Sequence, residues 1–322
     1  MATFNADRTF GVEIEVKTNL RGSDIVRLID GALADLRDGV RVYGTVDHTS
    51  MSDYGHTAPL GWKVISDGSL GSNGRRGLEI VSPILSGASG LAQLKAVCSI
   101  LVAPAFTVDK ECGLHVHHGI EDLTGQQIGL SFALYSSYQT TINYMVSPSR
   151  RQHFGYTKQL PFEAVSPDDK FKNNTPREAT NKIRRNLGCY DPASRAGRCR
   201  CGARYHTMNP LSILTQKTIE FRQHHGTTEY AKISNWVLFT QAIIESAKEM
   251  KVFPKPSKDR PNSKTKGGNF YRLKAATRYT PKENQHRLPE QAEIYAKMWR
   301  YYWKIVQKFA QRDGIEVSQI GR

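Results

Sequence analysis

Three short segments each place two functional side chains two positions apart: Glu13 and Glu15 around Ile14, His115 and His117 around Val116, and Glu220 and Arg222 around Phe221. In a β-strand successive side chains point to opposite faces, so each pair shares a face and the apolar residue between them points the other way. Val12, Val16, Leu114 and Ile219 extend the apolar set. The chain is thereby committed to a sheet with one face built as core and the other carrying carboxylates, imidazoles and a guanidinium. Carboxylates so crowded repel one another or lose their charge unless a cation neutralises them. A divalent metal is the simplest remedy.

At 322 residues the chain suits one large domain or two smaller ones. No apolar run approaches the length that crosses a bilayer, and residues 1–8 lack the apolar stretch of a secretory signal. A cytoplasmic protein with no membrane partner is the expectation. Five cysteines, an odd number, argue against a disulfide framework. Cys98 falls in an apolar helical stretch and is expected to be buried, while Cys112 adjoins the His pair. Cys189, Cys199 and Cys201, with His206 nearby, have the residue types of a zinc site without its usual spacing, and unpaired loop cysteines are the reading adopted.

The net charge of +15 is unevenly spread: residues 148–206 carry 13 basic and 5 acidic side chains and residues 251–322 carry 17 and 6, which leaves the rest net acidic. Such a distribution describes a basic rim around an acidic, metal-holding centre, suited to a nucleotide, an anionic substrate or a polyanion.

Along the chain, residues 9–18 read as a strand. Ser23-Asp24 then reads as the cap of an amphipathic helix through Ile25, Leu28, Ile29, Leu33 and Leu36. Strands follow at 62–65 and 78–81, joined by a turn at Asp67-Gly68-Ser69 and a Gly-rich loop through Arg75-Arg76-Gly77. A helix over 88–102 precedes a strand over 112–119. Thr124 caps a long predicted helix from 125 to 146, ended before Pro148. Residues 148–206 lack periodicity apart from a short helix near 176–187 and read as an insertion or lid. Strand returns at 217–223, an apolar helix begins at Thr228, and residues 251–270 read as a linker or second lid. A final helix over 291–311 carries Tyr295, Trp299, Tyr302 and Trp303 as packing residues. The organisation read from this is a catalytic core in two parts, 1–147 and 207–250, a basic insertion over 148–206, and a basic linker with a helical region over 251–322.

An ordered set of motifs extends the three pairs: Phe10-Gly-Val-Glu-Ile-Glu15, Trp62 to Ser69 with Glu79-Ile-Val-Ser-Pro83, Cys112-Gly-Leu-His-Val-His-His118, and Thr218-Ile-Glu-Phe-Arg222 followed by Gly226-Thr227. In this order they resemble the amidoligases of the carboxylate–amine ligase superfamily, relatives of glutamine synthetase and glutamate–cysteine ligase. The resemblance covers roughly residues 9–120 and 204–247. It implies an α+β fold with a curved, mainly antiparallel sheet and helices on one face. It also implies ATP and Mg2+ as cofactors, with Glu13, Glu15, Glu79, His115 and Glu220 as metal ligands. By the same resemblance His117 and Arg222 face the nucleotide phosphates and the transferring phosphoryl group, and Asp67 lies near the metals or substrate. Arg204 and Asn209, in a segment leading into the last catalytic strand, are by the same resemblance cofactor-binding residues. The partners implied are a carboxylate and an amine, free or carried on a peptide or a larger anionic molecule.

The residues support that class in their own right, since magnesium favours oxygen ligands and shares its shell with water and phosphate. Zinc suits the two histidines but leaves the carboxylates without a role, and no His-Glu-x-x-His helix is present. Two rivals stay open at this point: a kinase of amine or guanidino compounds on the same scaffold, and a nucleic-acid-binding protein using the basic segments. His118, His224 and His225 read as loop or strand-end residues, and His48, His56 and His153 as surface positions. Arg75 and Arg76 read as a phosphate-contacting loop.

Overall fold

The computed structural model describes residues 5–36, 42–44, 61–70, 74–151, 157–165, 171–189, 202–251, 268–277 and 288–320. The chain divides into two compact units. A sheet unit comprises Ala6–Gly119 and Glu220–Val237; a helical unit comprises Met1–Asn5, Ile120–Ile219 and Leu238–Arg322.

The sheet unit runs β1 (Phe10–Thr18), α1 (Gly22–Leu33), β2 (Val42–Gly44), β3 (Trp62–Ser66), β4 (Arg76–Val81), α2 (Gly87–Leu101), β5 (Phe106–Thr107) and β6 (Gly113–Gly119). Its strand order is β2-β3-β4-β1-β6 and then the later strand β8 (Thr218–His225), with β5 alongside β1. β1 is antiparallel to both β4 and β6, β3 is antiparallel to β4, and β2 is parallel to β3. The mixed helix and antiparallel-sheet class expected from the sequence is therefore present.

Period-two patterning sets the register. Val12, Ile14 and Val16 of β1, Leu78 and Ile80 of β4, Leu114 and Val116 of β6, and Phe221 of β8 are buried as one apolar face. Helices cover it: α1 packs beside β3 and against α2, and Trp62 Nε1 donates to Gln93 Oε1 of α2 at 3.2 Å. α1 begins earlier than expected. Its N-cap is Arg21, whose side chain makes no capping bond, and Asp24 lies inside the first turn, where its carboxylate meets the helix's partial positive charge and pairs with Arg27.

His118 lies near the end of β6, a strand-end position as expected, but its surroundings are core. It stands on the apolar side of β6, fully buried, with its ring edge-on to Phe221 at 5.9 Å. Burial first, and then the Arg8 guanidinium, push its imidazole down to about 3. A histidine whose folded pKa is depressed below the free value of 6.5 stabilises the fold above that pH and withdraws this contribution as pH falls toward 3. His118→Gln should therefore flatten the loss of unfolding free energy between pH 6.5 and 3, by on the order of 4 kcal/mol. Urea unfolding at pH 7 and pH 4.5 reads this directly, and parallel behaviour of variant and parent would contradict it.

In the helical unit the elements are α3 (Gly125–Ser137), α4 (Gln139–Asn143), α5 (Phe162–Val165), α6 (Pro176–Asn186), β7 (Met208–Asn209), α7 (Ser212–Thr215), the end of α8 (Tyr230–Glu249), α9 (Gly268–Ala276) and α10 (Leu288–Arg312). Thr124 caps α3 as expected, and Gln127 completes a capping box with it. The single helix predicted over 125–146 is instead broken at Tyr138. Ser137 Oγ bonds back to the Ala133 carbonyl at 2.6 Å, and Ser136 Oγ donates to the Leu160 carbonyl at 3.0 Å. The Ser137 bond shares the Ala133 carbonyl with the last turn of the helix ladder, and the Ser136 bond ties that turn to the segment at Leu160. On α10, Tyr295, Trp299 and Tyr302 are buried, with Trp299 edge-on to Phe239 and Phe270, so these aromatics are packing residues.

Cys98 and Cys112 are buried thiols outside any disulfide. Cys189 is disulfide-bonded, which overturns the expectation of an unpaired loop thiol; an odd cysteine count excludes complete pairing but not a bridge. Cys199, Cys201, His48, His56 and His153 lie outside the described residues. Among the described residues no helix is long and apolar enough to cross a membrane.

Candidate active site

The register brings the paired side chains face to face. Glu13 stands opposite His115, Glu15 opposite Glu79, and Gly11, with no side chain of its own, opposite His117. Next to β6, β8 contributes Glu220 and Arg222 to the same face. Seven of the residues expected from the sequence, Glu13, Glu15, Glu79, His115, His117, Glu220 and Arg222, therefore converge in the sheet unit.

Glu13 is the hub. Its Oε2 lies 2.9 Å from His115 Nδ1 and its Oε1 lies 3.2 Å from His117 Nε2. His115 Nδ1 is also 3.7 Å from Glu220 Oε1, and its Nε2 is 3.7 Å from Glu15 Oε1. Arg222 Nη1 donates to Glu220 Oε1. Glu13 keeps 21% side-chain exposure against 5–6% for Glu220 and His115, so it is the acid of the hub that an incoming ligand meets most readily.

The electrostatics divide the acids. Burial works to raise the Glu13 carboxyl, but His117 and His115 outweigh it and hold it well below the usual carboxylate range. Burial likewise opposes the Glu220 carboxylate, and Arg222 and then His117 hold it low. Burial also disfavours the His117 imidazolium, and Glu13 raises it nonetheless. Glu79 goes the other way: burial, then the charges of Glu13, Glu15 and Asp67, push its carboxyl well up. The cluster thus holds more acid than its internal cations balance, and the excess falls on Glu79.

Two overlapping groups have metal-ligand spacing. One ligand atom each from Glu13, His117 and Glu220 lie within 4.8 Å of one another, and so do atoms of Glu13, Glu79 and His115. Ligands about 2.1 Å from an octahedral cation are at most about 4.2 Å apart, so modest side-chain adjustment lets either group close on one ion. Glu13 belongs to both. Glu15 lies just outside both groups: its Oε2 accepts the Gly113 N–H at 2.5 Å, while its Oε1 faces His115 Nε2 at 3.7 Å.

Asp67 follows β3, its N–H bonded to the Gly77 carbonyl across the turn at 3.0 Å. Its carboxylate accepts the Ser69 N–H at 2.8 Å, and its charge reaches Glu79, which places it at the rim of the cluster. A Cβ on Gly77 would sit 2.4 Å from Leu70 Cβ and 2.7 Å from the Asp67 carbonyl, so the tight loop that holds Asp67 depends on glycine there. Arg75 is half-buried and bonded to Thr107 Oγ1 at 3.0 Å. Arg204 and Asn209 belong to the helical unit, where Arg204 lies over the Tyr205 ring and Asn209 Oδ1 accepts the Leu211 N–H at 2.9 Å.

Close backbone approach holds the strands that carry the site. Gly226 N–H donates to the Cys112 carbonyl at 2.7 Å, and a Cβ on Gly226 would fall 2.5 Å from Cys112 Cβ and 2.9 Å from its backbone. Gly226→Ala should destabilise the fold by about 1–3 kcal/mol. A thermal melt indistinguishable from the parent would contradict this.

Sequence reading missed Lys17, Asp109 and Glu111, which hold one another at the far end of β1. A signal existed, because Lys17 continues the two-residue alternation of Glu13 and Glu15.

The family model described as "Putative amidoligase enzyme" matches residues 6–244. No curated protein matches the chain.

Proposed function

The chain belongs to the amidoligase family, and from that premise we propose that its sheet unit is the site of an ATP- and magnesium-dependent ligation of a carboxylate to an amine. The observation that carries this reading is the sharing of Glu13 between two groups of ligand spacing, with Arg222 bonded to Glu220 of one of them. Acids fixed around a buried face suit hard cations with oxygen-rich shells. Glu13, Glu79, His115 and Glu220, with Glu15 beside them, are the residues that would hold magnesium. Bound there, magnesium would neutralise the surplus carboxylate and the phosphate oxygens of ATP.

Amide formation from a free carboxylate is uphill in water. Transfer of the γ-phosphoryl group of ATP to the carboxylate makes an acyl phosphate and releases ADP. The amine then attacks the acyl carbon, the C–O bond to phosphate breaks, and phosphate departs as the amine loses a proton. Burial works against the Arg222 guanidinium, but Glu220 and Glu13 keep it charged, and it is suited to stabilising negative charge on the moving phosphoryl group. His117, whose imidazolium Glu13 favours, adds a second positive donor. Asp67, whose charge reaches Glu79, would orient or deprotonate the amine.

Mass spectrometry of the purified chain with ATP, Mg2+ and pooled carboxylates and amines tests the reading. The expected product joins two substrates with loss of water and appears with ADP and phosphate. A product that instead gains a phosphoryl group would overturn ligation in favour of kinase chemistry.

A further inference from the structure

Lys17 shares the functional face of β1 with Glu13 and Glu15, yet its side chain keeps only 4% exposure. Two carboxylates enclose its ammonium: Asp109 Oδ2 at 2.7 Å and Glu111 Oε2. Both belong to the turn between β5 and β6. Asp109 Oδ1 also accepts the Glu111 N–H at 2.9 Å and lies 3.7 Å from Cys112 Sγ, which tightens the turn on itself. The turn delivers Gly113, whose N–H donates to Glu15 Oε2 at 2.5 Å, while Glu15 Oε1 faces His115 Nε2 at 3.7 Å. A path of hydrogen bonds and one tight turn therefore runs from Lys17 to Glu15, whose other oxygen lies within ion-pair distance of His115.

Stability alone is a poor reason for this arrangement. Asp109 and Glu111 keep 40% and 43% side-chain exposure and would be hydrated without Lys17. Burying an ammonium carries a desolvation cost that an apolar side chain of similar length avoids. What the ammonium adds is geometry, because two charged bonds fix the turn and hence the direction of the Gly113 N–H.

We infer that Lys17 is a positioning residue: by clamping Asp109 and Glu111 it fixes the Gly113 amide and, through that bond, the orientation of Glu15 in the metal-binding face. The inference rests on the metal-site reading proposed above. Groups that orient metal ligands commonly account for tenfold to a hundredfold in affinity, about the effect expected here.

The test is Mn2+ titration of the metal-stripped full-length chain, followed by electron paramagnetic resonance, with folding checked by circular dichroism. Lys17→Met should fold and bind Mn2+ about tenfold to a hundredfold more weakly than the parent. In a Glu15→Gln background the same substitution should have little further effect, since Lys17 acts through Glu15; a purely structural role would give an undiminished loss. Asp109→Asn, which leaves Glu111 to hold the ammonium, should weaken binding by a smaller factor and carries the test if Lys17→Met fails to fold. Parental Mn2+ affinity in the folded variants, or an equal loss with and without the Glu15 carboxylate, overturns the inference and leaves the metal site standing. Failure of the parent chain to bind Mn2+ sinks the metal-site reading and this inference with it.

Discussion

Glu13→Gln is expected to remove magnesium-dependent ATP consumption almost entirely, on the order of a thousandfold or more, while leaving the fold intact. The size follows from what the residue joins. Glu13 is common to both ligand groups, so losing its charge weakens each, and a bound divalent ion supplies several kcal/mol of stabilisation to developing charge. The fold should survive because glutamine matches glutamate in shape and Glu13 is among the more exposed members of the cluster. His115 and His117 each lose a charged partner, so Mn2+ affinity should fall together with turnover. Phosphate release assayed with and without Mg2+ reads the effect. Activity within tenfold of the parent would remove Glu13 from the centre of the account.

Arg222→Lys should be the next most damaging change, lowering turnover by about a hundredfold to a thousandfold with Mn2+ binding preserved. Lysine keeps the positive charge that compensates buried Glu220, so the variant avoids leaving that carboxylate alone in the interior. It loses the planar fork, which can bond Glu220 through one nitrogen and a phosphoryl oxygen through another. Arg222 Nε is buried without a hydrogen-bond partner, and the guanidinium therefore has a donor uncommitted to Glu220. Steady-state turnover beside Mn2+ titration separates the two roles. Loss of metal binding in step with turnover would mean that Arg222 only maintains the cluster.

The parts of this site legible in the sequence are those carried by strand periodicity. Glu13, Glu15, His115, His117, Glu220 and Arg222 were readable because each alternates with apolar residues that a sheet must bury, and the period of two fixes their face before any register is known. Glu79 lacks a polar partner two residues away, and its place came from the ordered motifs. Lys17 obeys the same alternation but pairs with Asp109 and Glu111, some ninety positions along the chain, a contact that only the β1–β5–β6 arrangement creates. His118 was hidden by its type, because a histidine beside a His-x-His pair looks polar although the pleat turns it inward. Local patterns also misled. Ser23-Asp24 has the composition of a cap but lies inside α1, and the break at Tyr138 comes with serine bonds to carbonyls, one of them on another segment, that no periodicity records.

The most direct test is anomalous diffraction from crystals grown with Mn2+ and a non-hydrolysable ATP analogue. The account predicts manganese bonded to Glu13, with His115 and Glu79 on one side or Glu220 on the other, and analogue phosphates completing its shell beside Arg222 and His117. Manganese bound elsewhere, with the Glu13 carboxylate left to its two histidines, would contradict it.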